Sequence, residues 1–345
     1  MLSVLFYFLY SDKIGNTMRT FTLISVIGAG IGSAIIFTFL IRWSVKKRQY
    51  LVPKQNKWIY IGKLKQITMF PVRSCRGLEL DTVECDEFGI KWKGFRDRRL
   101  LLLDDTDKMC LAGAYPQMLG IRSEITSDGL LRLNAPGLSF ITLNIEQLIS
   151  SKKAKLFQKQ IKGHCLQLIE CFDEHHRWFS QAVFGQETGL RLFLSMDSIV
   201  QHSFCGQIKA DIMPFMVIHD RSVSDLNNRL LNGNRVHHQQ FRDNFLVKTE
   251  KSVKAFDEDN WMWLRIGEDS DNSTILRYNS PCLRCILPNI DIFTCKRNAD
   301  FEPLATLKKF RLRSSTIEPE MGIYFDLFKP GVAERGNGVY VQYRE

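Results

Sequence analysis

The spacing of apolar residues changes character once along this chain, near residue 58. Before that point the dominant feature is FTLISVIGAGIGSAIIFTFLI, Phe21 to Ile41, twenty-one residues without a charge. As a helix, such a run is long enough to cross a hydrocarbon core of roughly 30 Å. From Trp58 onward the apolar runs are short. WIYIGKLKQITMF alternates and is rich in β-branched and aromatic residues, and GLELDTVECDEFGI, RRLLLLDDTDK, IRSEITSDGLLRLNA and LSFITLNI continue the pattern. Acid- or Gly-bearing turns such as DDTDK and TSDG separate them, which is the spacing of strands and hairpins rather than of β-α-β units.

Helical spacing is confined to a few places. Trp178, Phe179, Ala182 and Val183 fall on one helical face that stops at Gly185. SVSDLNNRLLNG, Ser222 to Gly233, predicts a second helix with Ser222 as N-cap and Gly233 as stop. EPLATLKKFRLR predicts a third. The pattern therefore predicts a mostly β protein with a few helices (α+β), built on a barrel-like or sandwich core that divides near residues 180–200, with no internal repeat.

Charge changes the picture only once it is located. The formal net charge is +10, but residues 1–57 hold eight Lys/Arg against one acid, whereas the remainder has 39 against 36. The basic excess flanks the apolar segment, so it points to a membrane and not to nucleic acid. Arg42, Lys46, Lys47 and Arg48 follow that segment at once, which places the long C-terminal part in the cytosol. A cleaved signal peptide fits less well, because the run is too long and its basic flank lies on the wrong side. Residues 1–20 then form a tail, 21–41 the anchor and 42–57 a basic linker. At 345 residues the chain can hold two domains with real cores, and nine scattered cysteines favour reduced thiols over a disulfide framework. No GxGxxG, P-loop or HExxH motif occurs, which leaves nucleotide-binding and zinc-protease readings without their usual support.

Three polar clusters remain once the core pattern is subtracted. FPVRSCRG, Phe70 to Gly77, ends the opening strand with Arg73 and Ser74 beside a turn. FRDRR, Phe95 to Arg99, puts Arg98 at the start of an apolar run, with Asp97 placed to orient it. QFRDN, Gln240 to Asn244, sets Arg242 and Asn244 before another strand. Each alone reads as an ordinary basic turn or a solvated ion pair. Three basic strand ends in one chain suggest a phosphate-bearing ligand. The fourth feature is PCLRC, Pro281 to Cys285, the one Cys-x-x-Cys. It is compatible with half of a zinc site, a thiol–disulfide pair, two inert thiols, or one thiolate acting as a soft ligand to a cofactor-borne metal. No second CxxC exists, and no His lies between Asn279 and Glu345.

In this order, the anchor, FPVRSCRG, FRDRR, PFMVIHDRSVSDLNNRL, FRDN and PCLRCILP resemble the mitochondrial amidoxime reducing components. These are MOSC-domain proteins related to the C-terminal domain of molybdenum cofactor sulfurases. The resemblance covers roughly residues 58–343. It implies an N-terminal MOSC-type β-barrel domain over 58–183 and a MOSC β-barrel domain over 184–343, with the molybdenum cofactor (Mo-molybdopterin) between them. It further implies Cys285 as the molybdenum ligand and catalytic residue, with Arg73, Ser74, Arg98, Arg242, Asn244 and Arg284 holding the pterin and its phosphate. The implied activity is reduction of N-hydroxylated compounds such as amidoximes and hydroxylamines, with electrons from cytochrome b5 and its NADH-dependent reductase. The implied place is the mitochondrial outer membrane, the endoplasmic reticulum being the other membrane that such an anchor suits.

The chain departs from the family pattern at Ile212 and Met213 (DIMPF for DTSPF), at Asp243 (FRDN for FRPN) and at Gly336 to Val339 (GNGV for GDPV). These changes keep two other readings open. One is a catalytically silent, membrane-tethered binding protein on the same fold. The other is a sulfur carrier akin to the sulfurases, although no pyridoxal-phosphate desulfurase domain accompanies it.

Overall fold

A computed structural model describes residues 52–54, 57–151, 154–161, 164–196, 215–268, 271–313 and 315–344. The apolar segment 21–41 and the departures at Ile212 and Met213 lie outside the described residues. Among the described residues no helix is long and apolar enough to cross a membrane.

Nineteen strands lie among the described residues. The first part holds β1 (Ile59–Met69), β2 (Leu78–Leu80), β3 (Thr82–Asp86), β4 (Gly89–Trp92), β5 (Phe95–Arg96) and β6 (Leu100–Asp104). Next come β7 (Arg122–Ile125), β8 (Leu131–Asn134), β9 (Ile141–Leu143), β10 (Leu156–Ile161), β11 (His164–Glu170) and β12 (Leu190–Ser195). The last part holds β13 (Phe215–His219), β14 (Phe245–Thr249), β15 (Trp261–Ile266), β16 (Thr274–Leu283), β17 (Glu320–Lys329), β18 (Gly331–Glu334) and β19 (Gly338–Tyr343). Four helices accompany them among the described residues: α1 (Ile145–Ser150), α2 (Asp173–Phe184), α3 (Asp220–Arg229) and α4 (Leu304–Arg311). The protein is thus mostly β with few helices, as its patterning predicts.

The main sheet runs β14-β13-β17-β16-β15-β19-β1, and β1 also pairs with β14, so seven strands close into a barrel. Among the described strand pairs of this sheet, β13 with β14 is the parallel one. Closure leaves no free edge in the ring, and strand alternation sends one set of side chains inward. Leu64 and Ile67 of β1, Val217 of β13, Val247 of β14, Leu264 of β15, Leu276 of β16, Ile323 of β17 and Val341 of β19 are all buried in one cluster. The opposite faces of β13, β14 and β17 carry Met216, Ile218, Leu246 and Met321, which pack with Val223 and Leu226 of α3 and Leu307 of α4. β13 is therefore buried on both faces. β2 extends the main sheet beside β1; the remaining strands form small sheets, and one of them joins β18, late in the chain, to β3.

Local signals account for several boundaries. α2 stops at Gly185, which takes the left-handed conformation (φ 72°) that glycine adopts without penalty. Helix α3 differs from expectation: it begins at Asp220 and ends at Arg229, so Ser222 lies inside it and is not its N-cap. The Ser222 hydroxyl is instead buried, donating to Glu258 Oε2 at 2.8 Å and accepting the Phe256 N–H at 2.7 Å. That tertiary partner outcompetes a local cap. The GNGV segment is the turn between β18 and β19, where the Gly336 N–H donates to Leu64 O at 2.7 Å.

The seam of the barrel requires one glycine. Gly62 has φ 149°, and a Cβ there would lie 2.1 Å from the Lys248 carbonyl oxygen of β14. We expect Gly62→Ala to force the seam apart and destabilise the protein by about 2–4 kcal/mol, read as a lowered urea midpoint. An unchanged midpoint would show that β1 does not hold this register.

Candidate functional site

Phe70 is the first residue beyond β1, and its buried ring is in contact with two guanidinium groups. Arg242 sits 4.0 Å and Arg98 4.8 Å from the ring centroid, each within cation–π range. Asp97 ties these parts together. One carboxylate oxygen accepts the Phe70 N–H at 2.6 Å; the other accepts from Asn244 Nδ2 at 3.2 Å and pairs with Arg98. Arg98 Nη2 in turn donates to the Arg242 carbonyl at 3.0 Å, and its backbone N–H to Phe70 O at 2.7 Å. The backbone N–H of Arg73 donates to Leu100 O at 2.7 Å, fastening the FPVRSC segment to the FRDRRL segment. Three sequence clusters far apart in the chain thus meet around one ring.

Three of the nine positive-φ non-glycine residues among the described residues lie in the same place. Ser74, Arg98 and Arg242 have φ of 68°, 56° and 56°, left-handed conformations that cost a non-glycine residue roughly 1–2 kcal/mol each. Arg242 also carries its charge at a disadvantage. Burial, and then the like charge of Arg98, push its guanidinium down to about 9, and Asp97 offsets this in part. Nη1 donates to Cys75 O at 2.8 Å, whereas Nη2 is buried without a hydrogen-bond partner. A buried, unsatisfied donor on an under-compensated cation is a fitting partner for an oxyanion.

Two of the expected ligands have their polar atoms engaged within the protein. Asn244 is fully buried; Oδ1 accepts the Met216 N–H at 3.1 Å and Nδ2 donates to Thr68 O at 3.1 Å, bridging β1 and β13. Arg284 is buried as well. Its Nε donates to Met321 O and its Nη1 to Phe241 O, both at 2.7 Å, and Nη2 contacts Met216 Sδ at 3.8 Å. Gly322 makes room for this: a Cβ there would lie 2.4 Å from Met216 Cε and 3.4 Å from Arg284 Nη2. Arg284 thereby clamps the end of β16 to the turn that carries Arg242.

The CxxC splits into two different thiols. Cys282 is 1% exposed in the apolar layer under α3 and α4, and burial raises its thiol above the usual range, with Arg284 and a hydrogen bond to Tyr324 acting the other way. Cys285 is exposed. Chelation or exchange by both sulfurs needs two accessible thiols at one point, so this arrangement favours Cys285 acting alone. Among the described residues no group of three His, Cys, Asp or Glu side chains is placed to hold a metal ion.

Sequence reasoning missed the role of Phe70 and the partner of Asp243. Phe70 ends an alternating strand before a proline, a position that ordinarily reads as core. Asp243 is bound by His238, five residues earlier in the chain, a spacing that no periodicity singles out.

The closed barrel gathers basic clusters at its strand ends, and an exposed thiol, that of Cys285, lies two residues beyond β16. Residues 61–186 match the MOSC N-terminal beta barrel domain, and residues 209–340 match the MOSC domain. The chain belongs to the MOSC-domain proteins. Its curated relatives include mitochondrial amidoxime reducing component 2 of Rattus norvegicus, 27% identical over 90% of this chain and 91% of that protein. The Bos taurus component 2 is 29% identical over 81% and 83%, and the Homo sapiens component 1 is 26% identical over 87% and 86%.

Two measurements follow from this geometry. Asn244→Ala removes both the acceptor and the donor of a fully buried bridge and is expected to cost about 2–4 kcal/mol in urea unfolding. Iodoacetamide at pH 8 should modify Cys285 first among the described cysteines. Burial pushes Cys75 and Cys85 up to about 12, so their thiolate fraction is on the order of 10⁻⁴. Peptide mapping that finds Cys282 alkylated as fast as Cys285 would contradict this burial.

Proposed function

We propose that this chain is a molybdenum-cofactor oxidoreductase that reduces N-hydroxylated compounds, amidoximes and hydroxylamines among them. Two observations carry the reading: the exposed Cys285 thiol just beyond β16, whose end Arg284 ties to the turn of Arg242, and the Arg242 Nη2 that lacks a partner. The names of the relatives point the same way. When bound, the cofactor supplies a metal that takes the oxygen of an N–OH group and leaves the N–H product. The protein's share is ligation, charge and orientation. Cys285 holds the metal as a thiolate. Arg73, Ser74, Arg98 and Arg242 hold the phosphate and pterin, with Phe70 as the floor of the cradle. Asn244 and Arg284 keep that cradle in register from behind, through the main-chain contacts described above.

In this reading residues 58–183 and 184–343 are the N-terminal and MOSC domains, joined by the 42–57 linker to the membrane anchor at 21–41. The relatives' names favour mitochondria. The basic flank of the anchor favours a cytosolic catalytic part on the outer membrane, where cytochrome b5 and its NADH-dependent reductase would deliver electrons.

The test is the molybdenum and pterin content of the full chain, purified in detergent from cells with ample cofactor supply, beside Cys285→Ser. The expected result is near-stoichiometric metal in the wild type and its loss in the folded variant. A folded wild type empty of both would sink the enzyme reading in favour of a silent binding protein. Cyanide-releasable sulfur on Cys285 would favour the sulfur carrier.

A further inference from the structure

The turn that presents Arg242 contains a buried acid–base pair that the proposed chemistry does not use. His238–Phe241 forms one 3-10 turn. At its start the His237 N–H donates to Gln240 Oε1 at 2.7 Å, and at its end Arg242 takes the left-handed conformation. Across the turn, His238 Nδ1 lies 3.0 Å from both carboxylate oxygens of Asp243. A ring nitrogen shared by two carboxylate oxygens has to carry the proton, since two acceptors would repel. Asp243 is 0% exposed and His238 7%. Two side chains of the turn fasten it to its surroundings: Gln239 Nε2 donates to Glu79 Oε1 and Gln240 Nε2 to Pro288 O, both at 2.8 Å.

A buried carboxylate without a partner costs several kcal/mol, so this pair persists wherever the turn is intact. It brackets Arg242, with His238 before it and Asp243 directly after it. It also leaves Arg242 uncompensated. The acids here divide their partners, Asp97 taking Arg98 and Asp243 taking His238. Proline at position 243, as in the family pattern, would disfavour a helical or left-handed residue before it. Aspartate permits that conformation, and the histidine ring N–H donates to the carboxylate that aspartate brings.

We infer that His238 and Asp243 form a positioning clasp for Arg242, closing the turn so that the guanidinium lies on Phe70 with Nη2 free for a tetrahedral oxyanion. The clasp rests on the proposed anion-binding role of Arg242. Inorganic sulfate serves as the probe, titrated calorimetrically into the cofactor-free full chain in detergent, with thermal unfolding recorded in parallel. Asp243→Asn and His238→Gln should each weaken sulfate at least about tenfold while unfolding stays cooperative, and the two together should do no worse than one. In an Arg242→Gln background neither change should matter further. Should the single variants fail to fold, His238→Leu/Asp243→Leu removes both polar groups at once and leaves no unpaired buried charge; it too should lose sulfate affinity tenfold. Folded variants that bind sulfate within twofold of wild type would overturn the clasp, as would a wild type that binds none. Arg242-dependent sulfate binding that needs the pair, in a chain that takes up no molybdenum, would instead uphold the clasp and defeat the cofactor reading.

Discussion

The structure depends on β1 being hydrogen-bonded along both of its edges. Its partners β14 and β19 lie about 180 and 280 residues further along the chain, in the register Gly62↔Thr249 and Ile59↔Val341. No local propensity supplies such pairing. The inward side chains of all seven strands must be buried together, and closing the ring satisfies the main-chain groups that an open edge would expose. The residues that follow β1 inherit their place from this closure. Phe70 to Cys75 are set against the start of β14, and only then can Arg98 and Arg242 contact one aromatic ring.

Several arginines in so small a region would repel one another without specific compensation, and each finds it differently. Arg284 is neutralised in effect by main-chain carbonyl oxygens, whose partial charges converge on its guanidinium. Arg98 has the Asp97 carboxylate and the Phe70 ring. Arg242 has the same ring and a single carbonyl, which is too little for a buried cation. The imbalance is local, and left-handed backbone at Ser74, Arg98 and Arg242 accompanies it. A fold that tolerates strain and an unsatisfied donor at one point retains binding energy there for a ligand of opposite charge.

The same economy separates the two thiols. One residue of Cys-x-x-Cys follows the strand into the apolar layer beneath α3 and α4; the other lies two positions beyond the end of β16 and faces solvent. Burial keeps a thiol protonated and inert, whereas exposure leaves it accessible to a ligand or a reagent. Their division of labour therefore follows from where a strand ends.

The sequence by itself determined the element types. Alternation placed a strand at Ile59–Met69 and a short apolar run one at Leu100–Asp104, helical spacing placed α2, and Gly185 stopped it, because these are local properties of backbone and side chain. It also placed Arg73, Arg98 and Arg242 at strand ends, and the order of the motifs, PCLRC included, identified the family. Ser222 shows where local reasoning fails, since a serine three residues before an acid reads as a cap until a distant glutamate claims its hydroxyl. Ring closure, the Phe70 platform, the engagement of Asn244 and Arg284 by the main chain, and the compensation of Asp243 by His238 were decided by the tertiary structure alone. Each depends on which buried polar group finds a partner in three dimensions, and a one-dimensional pattern does not encode that pairing.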